Sequence, residues 1–545
     1  MRRASALVAL AALAASGCSD PGTTASHRTG PGRVGGALVV GVTTIGSTDP
    51  ATAYDPAGDQ VQSLVCEPLV TRDPRSGALA RTGLATYWIT TSKGSQLTVR
   101  LRKGLRFSDG SKVNVNDVVA SWSRAALVET ASPSAEVLAP VKGFDTVHGE
   151  VDSDNATELS RLHGLTALSD TSLSVSLQGR NAAFVERLSE PVTAVTPRGT
   201  TGSSSPRCVG PYVQHPAGGA VVTLTRNSSY YNGNSSYDDG GRGYADSVTF
   251  RVLPTRADAA TAFRSGKVDI APLPDAELGR PLPAGTTRID APNGFVEYVG
   301  LPLAGSANPY ADPAVRQAMS RAIDRVALSK AAYGGGALPA SGFVPPTAGP
   351  AYAPGACGPS TGADLPSLRA TVAAATLGKP LLTLSFPDVD ANARVARELQ
   401  RQWQTGLGLR VQLDPLSPNA FLQKATSAAG FAGAFLEGWQ GLSPSADDTL
   451  GPLLSSAGTG TSNLAHFVSP PFERALTDAR QAEDDKGRQL AYRNLEQRAC
   501  ESLPLIPLVF RQWHYLVRTS RLSSSNPSWT DRATGLLDLR DVWLR

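Results

Sequence analysis

The stretch 97–124 constrains the fold most, because a strand pattern and a helix start follow each other within it. Apolar residues alternate with polar ones over 97–101, the period of a half-buried strand. The triplet 108–110, Ser-Asp-Gly, supplies turn chemistry. Asn114 then stands at a helix N-cap, and Asp117 three residues later completes a capping box. The stretch predicts a strand–turn–helix unit of an α/β protein.

The chain is too long for one hydrophobic core. With 545 residues it is expected to divide into two or three domains. Its hydrophobic fraction of 41% and charged fraction of 18% are those of an ordinary folded protein. The net charge is +4 and Lys and Arg form no clusters, so a nucleic-acid partner is not expected.

The N-terminus carries an export signal. Two arginines precede an apolar run, 4–15, that is too short to anchor the chain across a bilayer. The run ends in Ala-Ser-Gly-Cys, which resembles a lipobox and implies a signal peptide of residues 1–17 and acylation of Cys18. An ordinary secretory signal with an incidental cysteine is the alternative. Residues 18–35, rich in Ser, Thr, Gly and Pro, are predicted to form a flexible tether.

Four cysteines remain after the lipobox: Cys66, Cys208, Cys357 and Cys500. An even number in an exported protein predicts two disulfides, with three connectivities open. Metal binding is the rival interpretation, and it is weak because no two of these cysteines lie near each other or near a histidine in the sequence.

Two helix patterns allow sharper predictions. Asp312 with Pro313 predicts the start of a helix whose apolar stripe runs to Val326, with its arginines, 316, 321 and 325, on a solvated face or paired with local acids. Further on, 381–386, 392–403 and 409–413 predict a βαβ unit of a parallel sheet.

The first strand is predicted over Ala37–Val42, a continuous apolar run. The loop that leaves its carboxyl end begins at Thr43, and ligands of open α/β sheets tend to bind at that edge. Tyr230 and Tyr231 are expected to pack beneath a loop rather than to contact a ligand.

Several phrases together resemble one family. They are LRKGLRFSDG followed by DVVASWSR in 101–124, GPY with RNSSYY in 210–231, and DPAVRQAMSRAIDR in 312–325. In this order they are similar to the dipeptide, oligopeptide and nickel-binding proteins of ABC importers, family 5 of the extracellular solute-binding proteins. The resemblance implies an α/β, periplasmic-binding-protein-like fold of two lobes with a hinge, and three domains including an inserted α/β domain.

The resemblance also implies domain boundaries and a disulfide pattern. Domain I is expected in three parts, 36–78, 198–293 and 512–545, with domain II as the insertion 79–197 and domain III as 294–511. Cys66 and Cys208 then share domain I, and Cys357 and Cys500 share domain III, so the implied disulfides are Cys66–Cys208 and Cys357–Cys500.

The family places its ligand between domains I and III. Gly438 and Trp439 match its domain III loop, but Leu442 stands where an acid usually holds the peptide ammonium. Either Glu437, Asp447 or Asp448 substitutes, or the ligand lacks a free amine there, and a solvated loop is the alternative for the two aspartates. The predicted ligand residues are Thr43, Thr44, Ile45, Gly46, Ser47, Gly438, Trp439, Gln440, Gly441, Leu442 and Asp447.

No enzyme motif is present: the six histidines are scattered, and no HExxH, GxSxG or P-loop pattern occurs. Neither a cofactor nor a metal is expected. The leading hypothesis is a monomeric solute-binding protein, lipid-anchored on the extracytoplasmic face of the cell membrane, that delivers peptides to an ABC permease. A non-peptide solute such as haem or a metal chelate is an alternative ligand, and a secreted hydrolase or envelope scaffold is the alternative from another class.

Overall fold

The computed structural model describes residues 34–149, 161–202, 205–216, 220–231, 243–303, 308–358, 364–376, 381–427 and 430–545. The predicted signal peptide, Cys18 and the tether up to residue 33 lie outside these ranges. Within them, no helix has the length and apolar character that crossing a membrane requires.

A mixed sheet of eleven strands is the backbone of the fold. In spatial order its strands are β15 (Arg410–Leu416), β14 (Leu381–Pro387), β16 (Ala434–Gln440), β12 (Thr287–Gly300), β17 (Leu505–Val517), β11 (Ile270–Pro272), β1 (Ala37–Val42), β10 (Ser247–Val252), β9 (Val221–Arg226) and β8 (Tyr212–Gln214), with β13 (Leu338–Pro339) paired to β17. The strand predicted over Ala37–Val42 is therefore confirmed, and it pairs in parallel with β10.

A second, antiparallel sheet of four strands has the order β4 (Ala85–Thr91), β5 (Gln96–Leu101), β7 (Ser172–Ser176) and β6 (Leu165–Ser169). Two small hairpin-like sheets pair β2 (Thr71–Arg72) with β3 (Leu79–Ala80) and β18 (Leu522–Ser524) with β19 (Val542–Leu544).

The described helices are α1 (Pro56–Val65), α2 (Val115–Ala126), α3 (Phe144–His148), α4 (Phe184–Arg187), α5 (Arg256–Arg264), α6 (Pro313–Arg321), α7 (Arg325–Tyr333), α8 (Leu365–Ala375), α9 (Asp390–Leu407), α10 (Pro418–Ala425), α11 (Asp447–Leu454), α12 (Pro470–Gln481) and α13 (Asp485–Ser502). The predicted βαβ unit is confirmed, because α9 connects β14 to β15 and these strands pair in parallel.

The strand–turn–helix prediction for 97–124 is also confirmed. β5 is followed by α2, whose capping box joins the side chain of Asn114 to a backbone N–H of the first turn and that of Asp117 to the N-cap backbone. Trp122 is fully buried on α2, and its indole N–H donates to the carbonyl of Thr193 at 2.9 Å. This helix therefore covers the four-stranded sheet as its apolar face requires.

The three largest hydrophobic cores among the described residues organise the fold. The first core packs around β1 and β8–β10 and includes Leu38, Phe250 and Val542. The second core packs α2 on the four-stranded sheet. The third core lies within residues 298–509 and includes Trp403. The first and third cores form two lobes, so the molecule has the two-lobed α/β architecture that the sequence predicts.

Two long strands join the lobes. The first half of β12, up to Pro292, pairs with Gln512–Val517 of β17. The same half of β17 pairs along its other edge with β11. The second half, from Val296, pairs with Leu505–Phe510 and with β16. A register shift separates the halves, and Gly294 inside it has a φ of +81°. This irregularity is the position in the sheet where bending between lobes costs least.

The single helix predicted from Asp312 is wrong. α6 ends at Arg321, and Asp324 then caps α7 by accepting from the N–H groups of Val326 and Ala327. Because this second cap turns the chain into a new helix, Val326 leaves the apolar stripe and is 60% exposed.

The prediction of a solvated or acid-paired face for the three arginines is wrong for two of them. Arg321 is exposed, but Arg316 and Arg325 are buried. Arg316 donates to the carbonyls of Tyr310, Ala311, Ser502 and Leu503. Arg325 donates to the carbonyls of Ser320 and Pro507. Backbone carbonyls at the end of one helix and the start of β17 thus replace the expected carboxylates.

Both implied disulfides are present. Cys66 and Cys208 are joined with their Cα atoms 4.8 Å apart, and Cys357 and Cys500 with theirs 4.7 Å apart. The first disulfide ties the C-terminus of α1 to the segment before β8, and the second ties a loop of the third core to α13.

Candidate functional site

A cavity of about 460 Å³ lies between the two lobes. This volume is within the range of about 300–1,000 Å³ that encloses small-molecule ligands. Its lining comes from residues 50–72, 134–137, 189–192, 293–294, 345–348, 440–449 and 513–540. Segments far apart in sequence therefore meet there, and the β12 irregularity at 293–294 forms part of the wall.

The second lobe contributes the loop that follows β16. Gln440, Gly441 and Leu442, three of the predicted ligand residues, line the cavity together with Ser443 and the residues after it. No hydrogen bond to the backbone N–H groups of Gly441, Leu442 and Ser443 is found among the described residues. The loop thus offers consecutive free donors to a bound molecule.

Gly438 and Trp439 lie in β16 just before this loop and do not line the cavity. A side chain at Gly438 would collide with the ring of Phe295, so the glycine is required for strand packing. Trp439 is partly buried, and its indole N–H donates to the carbonyl of Asp448 at 2.7 Å. Both residues hold the loop in position and do not themselves form part of the cavity surface.

Thr43, Thr44, Ile45, Gly46 and Ser47 lie behind the cavity wall. The N–H of Gly46 donates to Asp55, and the hydroxyls of Ser47 and Thr52 are 2.7 Å apart. These contacts hold the segment that carries Tyr54, a lining residue that is 69% exposed. Direct ligand contact by 43–47 stays a prediction.

Asp447 and Asp448 are buried in ion pairs. The carboxylate of Asp447 lies 2.7 Å from Nε of Arg480, and that of Asp448 lies 2.5 Å from a guanidinium nitrogen of Arg187. The solvated-loop alternative is therefore wrong. Neither carboxylate lines the cavity, and each already has a cationic partner.

Glu437 is the third proposed substitute for the missing acid. It lies in β16, accepts from the N–H of Gly438 at 2.9 Å and is outside the cavity lining. Burial raises the pKa of its carboxyl. None of the three acids suggested by the sequence therefore reaches the cavity surface.

The sequence interpretation missed the acids on the opposite wall. Five carboxyl side chains and two guanidinium groups line the cavity: Asp59, Glu67, Glu190, Asp531, Asp538, Arg72 and Arg540. Their positions fall on unrelated elements that only the tertiary fold brings together, and no local motif marks them.

Three of these acids are satisfied within the protein. Glu67 accepts from the hydroxyls of Tyr230 and Tyr231, at 2.8 and 2.5 Å, so both tyrosines pack beneath the wall as predicted. Asp531 accepts from two backbone N–H groups of the turn that follows it. Asp538 lies 3.6 Å from Nε of Arg540.

Among the residues that the structure describes, Asp59 accepts no hydrogen bond, and Glu190 accepts one long contact of 3.5 Å from the hydroxyl of Ser189. Burial raises the pKa of the Glu190 carboxyl to about 8. Burial, with the nearby carboxylate of Asp55 as a second cause, raises the pKa of Asp59 to about 6. Among the described residues, no cluster of three or more His, Cys, Asp or Glu side chains has the arrangement of a metal site.

Comparison with known proteins gives the family. A family model described as bacterial extracellular solute-binding proteins, family 5 Middle, matches residues 80–461. The chain belongs to family 5 of the bacterial extracellular solute-binding proteins. This is a family of binding proteins and not of enzymes.

Two relatives whose names indicate different ligands match the chain. The periplasmic oligopeptide-binding protein OppA of Salmonella typhimurium is 25% identical over 488 residues, covering 83% of this chain and 86% of that protein. The probable deoxycholate-binding periplasmic protein YgiS of Escherichia coli is 24% identical over 482 residues, covering 86% of both chains.

A solved structure supports the fold. The unliganded open form of the periplasmic murein tripeptide-binding protein MppA matches with a TM-score of 0.78 and 22% identity, covering 94% of this chain and 99% of that one. At this identity the match establishes the architecture alone.

Proposed function

We propose that this family member captures a peptide, from dipeptide to oligopeptide, in the cavity between its lobes and delivers it to an ABC permease. The ligand leaves the protein chemically unchanged. The observation that carries this proposal is the loop at 441–443, whose residues line the cavity and whose backbone N–H groups have no hydrogen-bond partner among the described residues. A peptide carries carbonyl groups at matching intervals, so it can pair with such a loop whatever its side chains.

We also propose the division into domains I, II and III at the boundaries 79, 198, 294 and 512. The third core, which lies within 298–509, supports domain III. The second core supports domain II, although Ala51, Leu69, Val70, Val209 and Tyr230 also pack into it. Bending at the β12 irregularity would then open and close the cavity.

Lipid anchoring rests on the sequence Ala-Ser-Gly-Cys at 15–18. Diacylation at Cys18 would hold the protein stably on the outer face of the cytoplasmic membrane, where a single acyl chain would not. Replacing this residue, Cys18→Ser, should move the protein from the membrane fraction to the soluble fraction. Retention of the variant in the membrane fraction would contradict the anchor.

Thermal unfolding tests the binding function. Di-, tri- and tetra-alanine should each be titrated, since a ligand at 100 times its Kd stabilises the folded state by about 2.7 kcal/mol. The variant Leu442→Trp, which enlarges a cavity-lining side chain, should lose the stabilisation. Leu422→Trp, at a residue of α10 that is 62% exposed, should keep it. Equal stabilisation of both variants would place the ligand elsewhere.

A further inference from the structure

We propose that the cavity selects ligands carrying a positively charged amine or guanidinium group in addition to the terminal ammonium that every peptide has, and that Asp59 and Glu190 hold that additional group. This inference rests on the proposed solute-binding function and names the class of solute. The proposed cation-binding position is on the wall formed by α1 and the segment after α4. It is not on the second-lobe loop, where Leu442 stands in place of an acid.

The first argument is the hydrogen bonding of Glu190. Within the described part of the chain, its carboxylate receives one contact, from the hydroxyl of Ser189 at 3.5 Å. That same hydroxyl also donates to the carbonyl of Glu186 at 2.8 Å, so it is already engaged. Glu190 is partly buried. A carboxylate that loses part of its hydration without gaining a partner is costly, and a bound cation would compensate that cost.

The neighbouring guanidinium does not neutralise this acid. Arg72 donates to the carbonyls of Gly77 and Glu186 and to the hydroxyl of Ser189, at 3.0 to 3.1 Å. It forms no ion pair within 4.0 Å in the described residues, although its charge acts on Glu190 from a distance.

Asp59 is the second half of the pair. It lines the cavity from α1, and no described residue donates a hydrogen bond to its carboxylate. The nearby carboxylate of Asp55 does not stabilise a negative charge on Asp59, because two like charges repel. Asp55 itself accepts from the N–H groups of Gly46, Ala57 and Gly58. Asp59 also acts on the titration of Glu190, so the two groups share one electrostatic environment.

The second-lobe wall offers no acid to a cation. Its lining residues over 440–449 are Gln440, Gly441, Leu442, Ser443, Pro444, Ser445 and Thr449. The adjacent aspartates of α11 are ion-paired with Arg187 and Arg480. A cation in the cavity is therefore drawn to the opposite side.

A separate observation indicates a polar ligand. Thr347 and Thr449 line the cavity on the second-lobe side and are each only 2% exposed. In the described ranges neither hydroxyl has a hydrogen-bond partner, and neither oxygen is completely buried. Both therefore keep access to the cavity, where a polar group of a bound molecule can bond to them. A ligand that satisfies them can place its cationic end against Asp59 and Glu190 across the cavity.

The electrostatic environment of Glu190 agrees with this assignment. It is faced by Arg72, Asp59 and Asp448, and burial is the largest cause of its raised pKa. Because burial raises the pKa of this carboxyl to about 8, its neutral form competes with its ionised form near neutral pH. An arriving ammonium favours the ionised form, so binding should release a proton.

Isothermal titration calorimetry with four probes tests the inference: tri-lysine, tri-alanine, tri-glutamate and spermidine. The two polycations should bind at least ~10-fold more tightly than tri-alanine, and tri-glutamate should bind least, because charge-assisted hydrogen bonds are the strong ones. Glu190→Gln and Asp59→Asn should each weaken polycation binding by ~10-fold or more. Glu483→Gln, at an exposed residue outside the cavity, is the matched control and should change nothing.

Each outcome decides one of the two proposals. The cation inference would be overturned if the three tripeptides bound with equal affinity and if neither Glu190→Gln nor Asp59→Asn changed that affinity. The peptide function would then still stand. Binding of spermidine alone, lost in Glu190→Gln or Asp59→Asn, would support the cation inference and overturn the peptide function. No heat from any probe would overturn both. Unfolding midpoints of the variants identify any that fail to fold, and either variant is sufficient for the test.

Discussion

At the scale of single residues, buried charges in this protein are stabilised in two different ways. Arg316 and Arg325 donate to backbone carbonyls, whereas Arg187 and Arg480 pair with carboxylates. The sequence predicted a solvated face or local acid partners for the first two. Local spacing shows neighbouring acids but not the backbone carbonyls that distant elements bring. Glu496 is a third case, a buried carboxyl without a cation.

Arg316→Lys should lower the free energy of unfolding by about 2–4 kcal/mol, because a lysine ammonium cannot reach the four carbonyls that the guanidinium contacts. Arg321→Lys, at the exposed end of the same helix, is the control and should change stability by less than about 0.5 kcal/mol. Denaturant unfolding measures both. Equal effects would contradict the buried role of Arg316.

The ligand-free protein should become less stable as pH rises from about 5 to 8. Burial raises the pKa of Glu496 to about 7, above its unfolded value of 4.5. The folded state therefore binds more protons in this window, and stability that is present below the unfolded pKa is lost as pH rises through the folded pKa. Glu190 and Asp59 act in the same direction.

The variant Glu496→Gln tests this linkage. Its amide oxygen can still accept from the N–H groups of Phe343 and Val344, but it does not titrate. Unfolding midpoints between pH 5 and 8 should fall less steeply in this variant than in the parent, while Glu483→Gln keeps the parent slope. A midpoint that rises with pH in the parent protein would refute the account.

At the scale of elements, local patterns in the sequence show where strands lie but not how far they continue. The stretches 296–301 and 513–518 each have the apolar composition of a strand, and they fall within or at the end of the longer strands β12 and β17. The irregularity in β12 and Pro507 in β17 interrupt the local pattern, so each half stands alone in sequence. The break between α6 and α7 was missed for the opposite reason, because the apolar spacing continues across it.

The candidate site was predicted in part for a related reason. The loop at 440–442 continues from a recognisable strand, and it does line the cavity. Asp59 and Glu190 lie more than a hundred residues apart, on elements whose proximity depends on the whole fold. The proximity of two such residues cannot be predicted from the periodicity or the local spacing of the sequence.

The disulfide between Cys66 and Cys208 closes a loop of 142 residues and borders the cavity. Replacing both cysteines with alanine should lower the free energy of unfolding by about 2–5 kcal/mol, because the unfolded chain regains conformational freedom. Urea unfolding measures the change. The parent protein under reducing conditions should lose at least as much, because reduction also opens the disulfide between Cys357 and Cys500. Unchanged stability in the double variant would rule out a structural role for the disulfide between Cys66 and Cys208.

At the scale of the whole molecule, contacts beside the cavity connect the segment 182–187 to the second lobe. Arg187 pairs with Asp448, and Glu186 lies 3.0 Å from Nε of Arg488. The N–H of Ala182 also donates to the carbonyl of Arg480 at 2.7 Å. These contacts must separate if the second lobe moves away from this segment, so they oppose opening of the cavity.

Arg187→Ala should therefore expand the ligand-free protein, because it leaves the carboxylate of Asp448 buried without its partner at a cost of about 3–5 kcal/mol. Small-angle X-ray scattering should show a larger radius of gyration than in the parent. Arg207→Ala, which removes an exposed ion pair with Asp109, is the control and should leave the radius unchanged. An unchanged radius in Arg187→Ala would show that these contacts do not hold the lobes together.

The central claim is that the cavity between the lobes holds a small solute and does not alter it. Native mass spectrometry with tri-lysine tests it most directly. We predict a 1:1 complex that releases intact tri-lysine on denaturation, is lost in Leu442→Trp and persists in Leu422→Trp. Recovery of cleaved peptide, or a complex that Leu442→Trp leaves intact, would contradict the account.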